Sequence, residues 1–481
     1  MKRRDSLRLL PLSLAGHAGL VGLAGAAQLI KSPADAYAEK TGVDDPANGK
    51  KNLPAKPLGI QYTEKVRKML RRIQSTQSAN MLEASYAIAR TVKNGGKCWC
   101  SWDMGHNTAY DMFPGRHGNP GIFTIGYNTD QVKKGDLFLA SIWGGPHEDL
   151  VKKDIFVIGG PAPWGMDAKR SDLIVRDSAK VRMRPYSHIW IETGVSTLGA
   201  IMDVPGSPAP TGPVSGILGM VTFWMLQADA CRILSRDGVK MSVEGDEPAL
   251  SGSNAAWADL NAPLMDDYFD AVMSQIKMIG SEYGNIRKIA EMAVDSVLAG
   301  GKVYAYSRSR NSLSAEGQTR RGGLAMTRGI HFENGKLTGH GEEFNGTKND
   351  LVIMGLFQPE DEYDLRALDT FRKNNMKVVS MGTMTRDIKV PAGRTVPKET
   401  DIHVGRMCDT YGRFAIPGFD KKVCPTSGAI LNQIFWATCM EMVDTMIRRT
   451  GNTPGIFFSA AIKGGTEHMH RVNEIYQERG Y

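Results

Sequence analysis

Ala87-Ile-Ala-Arg-Thr-Val-Lys-Asn-Gly-Gly-Lys-Cys-Trp-Cys-Ser101 and Ile289-Ala-Glu-Met-Ala-Val-Asp-Ser-Val-Leu-Ala-Gly-Gly-Lys-Val-Tyr-Ala-Tyr306 follow the same pattern. Each stretch predicts an amphipathic helix that ends at Gly-Gly-Lys and is followed by a short strand. Glycine is typical of a helix C-terminus because it adopts the left-handed backbone conformation at little cost. The pattern occurs once in each half of the chain, which indicates a duplicated unit.

A second pair of matching segments supports the duplication. Pro213-Val-Ser-Gly and Pro425-Thr-Ser-Gly each begin a predicted helix, and a tryptophan, Trp224 or Trp436, follows the proline by 11 positions in both. Repeats of this length are duplicated domains rather than turns of a solenoid. We predict a first domain at 62–240, a connecting segment at 241–280 and a second domain at 281–481.

Strands and helices alternate within each copy. The first copy has strand patterns at 135–141 and 154–160, joined by a short connection at 148–153. The second has strand patterns at 349–356 and 377–383 around a predicted helix at 360–375. This alternation predicts an α/β fold with two doubly wound parallel sheets, one per copy. Ligands of such sheets bind at the carboxyl ends of the strands, at the point where the strand order reverses.

These motifs resemble the sugar-isomerase (SIS) domain family: a helix ending in Gly-Gly, a strand, a polar loop, Asp-Leu-Val-Ile at 350–353, then a helix followed by Val-Val-Ser at 378–380. The resemblance covers most of the chain after its N-terminal segment. It implies two domains with flavodoxin-like strand order, in which the loops after the first two strands and a nearby helix N-terminus hold a sugar phosphate. Gly105-His106-Asn107 stands where some SIS relatives carry Gly-His-Ser.

Polar residues after the predicted strands are the candidates for the site. We predict three catalytic candidates, His106, Glu192 and Glu316, because a proton transfer between adjacent sugar carbons needs a basic side chain. The sequence does not choose among them. The predicted substrate-binding residues are Ser101, Asn107, Thr108, Ser141, Gly144, Ser196, Thr197, Ser307, Arg308, Ser309, Arg310 and Ser312. Arg308 and Arg310 suggest a clamp for an anion, although a solvated basic loop remains an alternative.

The loops after the second strand of each copy depart from the family pattern. Residues 141–146 contain one serine and residues 355–360 contain none. Pro146 and Pro359 have no N–H to offer a phosphate, and Glu360 would repel one. The predicted ligand is therefore a carbohydrate derivative whose anionic group the sequence does not identify: either a sugar phosphate or an acidic sugar.

The N-terminal segment predicts export. Met1-Lys-Arg-Arg precedes an apolar run from Leu9 to about Leu29, and small residues at 24–26 and 34–36 offer A-x-A cleavage sites. This pattern resembles a twin-arginine (Tat) signal peptide, which we place at 1–36 and follow with a linker at 37–61. A membrane anchor is the alternative interpretation. The expected location is periplasmic or otherwise outside the cytoplasm, with no stable membrane span after the signal is removed.

Composition restricts the partners. The formal net charge is +8, but no run of Lys and Arg with interleaved aromatics occurs, so we expect no nucleic-acid partner. We predict no metal and no cofactor, because the six cysteines form no pair of CxxC motifs and His468 and His470 have no clear acidic partners. The sequence assigns no disulfide and leaves open whether the chain forms a homodimer.

Three functions stay open at the level of sequence. The first is an exported enzyme that catalyses aldose–ketose isomerisation or a related proton transfer. The second is a non-catalytic receptor for a sugar derivative, and the third is a structural scaffold with a degenerate cleft. His106, Asp103 and Asn107 in one loop favour catalysis, whereas the loss of serines from the second loops favours the other two.

Overall fold

A computed structural model describes most of the chain after the predicted signal and linker. The described residues are 53–101, 115–126, 129–140, 147–160, 184–195, 199–207, 210–245, 249–250, 256–308, 313–317, 322–339, 342–343, 346–384, 393–457 and 465–481. The predicted signal peptide lies outside them.

More of the described residues lie in helices than in strands. They are α1 (Leu58–Lys93), α2 (His147–Lys152), α3 (Ser215–Arg236), α4 (Leu264–Met278), α5 (Tyr283–Leu298), α6 (Leu313–Glu316), α7 (Glu362–Lys373), α8 (Val396–Glu399), α9 (Ser427–Thr450) and α10 (Gly465–Arg479), with short 3-10 turns at Thr129–Gln131, Arg184–Tyr186 and Ile279–Glu282.

The strands belong to two main sheets and one small hairpin-like pair. They are β1 (Cys98–Ser101), β2 (Phe123–Gly126), β3 (Leu137–Ala140), β4 (Phe156–Gly159), β5 (Ile189–Trp190), β6 (Ala200–Met202), β7 (Thr211–Pro213), β8 (Val303–Ser307), β9 (Thr327–Glu333), β10 (Lys336–Gly339), β11 (Glu342–Glu343), β12 (Leu351–Leu356), β13 (Lys377–Met384) and β14 (His403–Met407).

The two main sheets share one strand order. The first sheet runs β2-β1-β3-β4-β5, and all its pairs are parallel. The second contains the parallel series β9-β8-β12-β13-β14. Counted within each copy, both are the order 2-1-3-4-5 of flavodoxin-like folds, whose reversal lies between the first and third strands. The predicted fold class, two parallel α/β units related by duplication, is confirmed.

The second sheet has an antiparallel extension that the sequence analysis did not predict. β10 pairs with β9, and β11 with β10, in antiparallel register. The turn between β9 and β10 is Asn334-Gly335, with φ of 51° and 80°. Asn-Gly with two positive φ values is the typical two-residue hairpin turn. This dipeptide was the sequence signal for the extension.

An equivalent Gly-Gly turn, held by an aspartate, precedes the first strand of each main sheet. Asp136 accepts a hydrogen bond from the Lys97 N–H at 2.9 Å, and Asp350 accepts one from the Lys302 N–H at 2.7 Å. Gly95 and Gly300 have φ of 77° and 79°, which is the left-handed conformation that the Gly-Gly pattern predicts. The carboxylate thereby ties the end of a helix to the next two strands in both copies.

The paired tryptophans occupy equivalent positions. Trp224 in α3 and Trp436 in α9 are both buried, with exposures of 0% and 2%. Each packs edge to face on the preceding phenylalanine, at centroid distances of 5.2 Å for Phe223–Trp224 and 5.4 Å for Phe435–Trp436. The environments of the two tryptophans therefore match, as the duplication requires.

One hydrophobic core joins the two copies. It contains residues of α1, α3, α4, α5 and α9 together with the inner faces of both sheets. At one crossing the Gly59 N–H of α1 donates to Glu441 Oε1 of α9 at 2.6 Å. An added Cβ on Gly59 would lie 2.6 Å from the Ala437 carbonyl oxygen. Helices of different copies therefore approach each other closely, so the copies form one packed body.

Both copies begin with about ten turns of helix. α1 starts after Pro57, within the segment predicted as linker. α4 starts after Pro263, within the predicted connecting segment, and continues through a 3-10 turn into α5. Pro57 and Pro263 thus mark equivalent starting points. Of the described helices, α3 alone is long and apolar enough to cross a membrane, and the apolar stretch that meets this description is buried inside the fold.

Candidate functional site

In the second sheet, the strand order reverses between β8 and β12, and the residues that follow these two strands form a candidate site. β8 ends at Ser307 and β12, its neighbour, at Leu356, so the residues after these strands face the same edge. Ser307 is buried and its Oγ accepts a hydrogen bond from the Ser314 N–H at 3.0 Å. Arg308 forms an ion pair with Asp361 and stacks 5.3 Å from the Tyr363 ring. Both predicted binding residues thus have partners within the protein.

Asp361 occupies the place where a helix would receive an anion. It is the N-cap of α7, and its Oδ1 accepts from the N–H groups of Tyr363 and Asp364 at 2.9 and 3.0 Å. Free N–H groups at a helix N-terminus are what bind phosphate. Here the protein's own carboxylate takes them, and Pro359 supplies no N–H. In the described part of the second-copy loop, Asp361 therefore neutralises the charge of Arg308.

A buried carboxyl group lies beneath this cap. Asp364 Oδ1 accepts a hydrogen bond from the Tyr306 hydroxyl at 3.0 Å. Burial, reinforced by the charge of Asp361, raises the pKa of Asp364 to about 7, although the Tyr306 hydrogen bond acts in the opposite direction. Burial and the Asp364 carboxyl group raise the pKa of Tyr306. Asp364 consequently titrates close to neutral pH.

A first-copy arginine reaches the edge of the second sheet. Arg116 is fully buried, and its Nη2 donates to Ser427 Oγ at 2.8 Å, at the first residue of α9. Its guanidinium lies 4.3 Å from the centroid of the Phe357 ring, which follows β12. The N-terminus of a helix carries partial positive charge. The Arg116 guanidinium therefore lies beside the positive end of the α9 dipole. The sequence analysis missed Arg116, since nothing in its neighbourhood marks it.

A hydrogen bond, a ring contact and a close backbone approach pack the residues around Arg116 against the loops of the second sheet. Gln358 Nε2 donates to the Tyr411 hydroxyl at 2.6 Å. The His117 and Tyr411 rings meet edge to face at 5.0 Å. Gly118 approaches so closely that an added Cβ would lie 2.6 Å from the Tyr411 carbonyl oxygen. Residues 116–118 thus pack firmly against the loops of the second sheet.

The first sheet presents the equivalent reversal between β1 and β3. Cys100 pairs with Leu139, so the chain leaves neighbouring strands after Ser101 and Ala140. These strands lie about 4.8 Å apart. The backbone of Ser101 belongs to β1. The catalytic candidate His106 lies outside the described residues, and so do most predicted binding residues: Asn107, Thr108, Ser141, Gly144, Ser196, Thr197, Ser309, Arg310 and Ser312.

The two glutamates proposed as bases lie in different surroundings. Glu316 is 1% exposed, and its Oε2 accepts from Trp436 Nε1 at 2.7 Å. This bond holds α6 against α9, inside the core. Glu192 follows β5 and is partly exposed, and its Oε1 accepts from the Gly194 N–H at 3.2 Å. Glu192 lines a polar cavity of about 410 Å³ whose lining does not include Glu316.

The cysteines and histidines fit structural roles. All six cysteines are buried free thiols. The Cys424 thiol is hydrogen-bonded to that of Cys231, and burial raises its pKa well above the ordinary value. His403 bonds Ser380 through Nδ1 at 2.8 Å, and burial lowers its pKa to about 4. Within the described ranges, no three His, Cys, Asp or Glu side chains cluster as metal ligands would.

Known proteins provide the remaining comparison. No protein-family model matches the chain. The "UPF0309 protein" of Streptomyces griseus is 22% identical over 246 residues, which cover 46% of this chain and 97% of that protein. The match therefore spans slightly less than half of this chain.

Solved structures with a similar arrangement include two proteins named for sugar-phosphate chemistry. The C-terminal domain of glucosamine-fructose-6-phosphate aminotransferase from Francisella tularensis is 11% identical and has a TM-score of 0.45, covering 84% of this chain and 99% of that one. Tagatose-6-phosphate ketose/aldose isomerase from Escherichia coli is 12% identical with a TM-score of 0.36, covering 83% and 97%.

Proposed function

We propose that the protein binds an anionic carbohydrate derivative at the carboxyl edge of the first sheet, where β1 and β3 end side by side. The strand order 2-1-3-4-5 favours a ligand at this reversal. Ser101, Asn107, Thr108, Ser141 and Gly144 are the residues proposed to contact it. A sugar phosphate and an acidic sugar share the anionic group on which the proposal depends.

The observation that carries the proposal is that, in the second copy, the helix N-terminus at the equivalent position is already occupied by a carboxylate of the protein. There Asp361 caps α7 and neutralises Arg308, so a second anion would meet an occupied helix N-terminus. In the first copy Pro146 directly precedes α2, so no carboxylate stands at the capping position, although Pro146 offers no N–H. The acidic residues in the first turn of α2 are Glu148, which pairs with Lys152, and Asp149. We propose that the duplicated unit has diverged into one binding copy and one structural copy.

Catalysis is a narrower proposal that rests on His106. Glu316 is engaged with Trp436 in the core, and Glu192 lies beyond β4 at the far strand of the sheet. His106 is the candidate base that follows β1 directly. We propose that any aldose–ketose isomerisation uses His106 for the proton transfer, and that loss of His106 lowers turnover more than ligand affinity.

The ligand is to be found by thermal unfolding with sugars, sugar acids and sugar phosphates, followed by calorimetry. A ligand at 100 times its Kd raises the free energy of unfolding by about 2.7 kcal/mol. We expect Asn107→Ala and Ser141→Ala to weaken binding several-fold, and Arg308→Ala to leave affinity unchanged. Loss of binding in Arg308→Ala, with normal binding in the other two variants, would move the site to the second copy.

Export by the twin-arginine route is proposed from the N-terminal sequence. The motivating residues are Arg3 and Arg4, ahead of the apolar run. Replacing both by lysine should keep the protein in the cytoplasm, since the pathway reads the arginine pair. Cell fractionation measures the outcome, and undiminished export of the double-lysine variant would contradict a Tat signal.

A further inference from the structure

A cavity of about 410 Å³, lined mostly by polar side chains, lies beside Glu192 next to β5, the edge strand of the first sheet. α1 contributes Gln77, Asn80 and Glu83 to its wall, at a spacing of three that places them on one helix face. His188, Trp190 and Glu192, in and beside β5, form the opposite wall. They alternate along the strand, and alternate residues of a strand share a face. The volume lies within the range of small-molecule pockets.

Hydrogen bonds within the protein hold the wall in position. Gln77 Oε1 accepts from the Glu192 N–H at 2.9 Å, and Asn80 Nδ2 donates to the Trp190 carbonyl at 3.2 Å. His188 Nδ1 accepts from the Val157 N–H at 3.1 Å. These contacts orient the side chains before any ligand arrives, which reduces the entropy lost on binding.

Trp190 supplies a rigid aromatic surface. Its ring lies against the backbone of Gly159 and Gly160, where an added Cβ would come within 2.9 Å and 3.2 Å of ring atoms. The glycines therefore make room for the indole. The ring is partly exposed and lines the cavity. An aromatic side chain of this kind offers apolar area at low entropic cost.

Several polar atoms of the wall remain for a ligand. Among the described residues, Glu83 and Arg184 form no ion pair or hydrogen bond, and Asn80 Oδ1 accepts none. Glu83 can accept from hydroxyl groups and Arg184 can donate to them. Glu192 accepts from the Gly194 N–H and, at 3.5 Å, from Trp190 Nε1, and the second lone pair of each oxygen can still accept from a ligand hydroxyl. The carboxylates of Glu83 and Glu192 and the guanidinium of Arg184 line the cavity, and the Arg72 guanidinium lies beside Gly194. These charges balance, so the cavity has no excess positive charge to attract an anion. The wall thus suits a ligand with many hydroxyls and no negative charge.

We propose that this cavity binds an uncharged saccharide unit, with its ring against Trp190 and its hydroxyls on Glu83, Glu192 and Arg184. β4 separates β5 from β3, so the cavity is distinct from the reversal between β1 and β3. The inference goes beyond the anion site proposed above and does not depend on it. The chain would then carry two carbohydrate sites, one for an anionic derivative and one for an uncharged saccharide.

The test is a titration of the full-length mature protein with methyl glycosides of glucose, galactose and N-acetylglucosamine, followed by tryptophan fluorescence and calorimetry. Glucose 6-phosphate is the anionic comparison. We expect a neutral glycoside to bind and to change the fluorescence. Trp190→Phe should abolish the fluorescence change, and Glu192→Gln should weaken binding about tenfold, equivalent to about 1.4 kcal/mol.

Matched variants guard against unfolding. Trp257→Phe removes an exposed tryptophan remote in sequence from the cavity wall, and should leave both signals unchanged. Glu83 is exposed and without a hydrogen bond in the described structure, so Glu83→Gln tests the cavity without disturbing the fold and should also weaken binding. Absence of binding by every neutral glycoside, or equal affinity in Glu83→Gln, Glu192→Gln and wild type, would overturn the proposal. Either result leaves the first-copy anion site untouched.

Discussion

At the scale of single residues, Asp364 shows how the protein's own acids shape the second copy. The carboxyl group is fully buried beside Asp361, and its pKa rises from 3.8 to about 7. A folded-state pKa above the unfolded value means that the folded protein holds the proton more tightly. The resulting stabilisation is present in full below the unfolded pKa and is lost as pH rises through about 7.

Asp364→Asn should therefore become more stable relative to wild type as pH increases from 4 to 8. The amide keeps an acceptor for the Tyr306 hydroxyl and cannot ionise. The gain should be at most about 4 kcal/mol, because each unit of pKa shift corresponds to about 1.4 kcal/mol. Urea unfolding across this pH range measures it.

Asp369→Asn on the same helix is the control. Asp369 is exposed, and the hydrogen bond from Arg394 lowers its pKa, so its contribution is lost as pH falls rather than as pH rises. A pH-independent difference between Asp364→Asn and wild type would show that Asp364 does not titrate in this range.

At the scale of secondary-structure elements, the Gly-Gly turn after α1 and α5 limits how each copy can change. A Cβ on Gly96 would lie 2.2 Å from the Gly135 carbonyl oxygen, and one on Gly301 would lie 2.2 Å from that of Asn349. Backbone atoms cannot move aside as a flexible side chain can. Alanine at either position should lower the free energy of unfolding by about 1–3 kcal/mol.

Gly284→Ala provides the opposite expectation within α5. Apart from its chain neighbours and the adjacent backbone of its own helix, no atom lies within 4 Å of a Cβ at this position. Alanine favours helix over glycine by up to about 1 kcal/mol. Denaturant unfolding should show a gain for Gly284→Ala and similar losses for Gly96→Ala and Gly301→Ala. Unequal losses in the two turns would contradict their structural equivalence.

At the scale of the whole molecule, the contact between Cys231 of α3 and Cys424 before α9 joins the two copies. Both thiols are buried, and burial raises the pKa of Cys424 well above its usual value. Disulfide formation requires a thiolate with access to an oxidant. We therefore expect all six cysteines to stay reduced in the folded protein, even in an oxidising compartment, if folding precedes export.

Alkylation followed by mass spectrometry measures this outcome. The native protein should resist iodoacetamide, whereas the protein denatured without reductant should take up one label at each of its six cysteines. The same treatment after reduction is the control. A cross-linked peptide containing Cys231 and Cys424 would contradict the expectation and would indicate that oxidation preceded folding.

Local patterns allowed much of the fold to be predicted from the sequence. The Gly-Gly-Lys turns, the matched Trp224 and Trp436 and the alternation of strands with helices determined two copies of a parallel α/β unit, because such signals depend on residues close together in the chain. Tertiary structure alone decided how the copies differ. Arg308 meets Asp361 at a separation of 53 residues, and Arg116 meets Ser427 at 311. Folding brings these charges together, and periodicity carries no information about such distant partners.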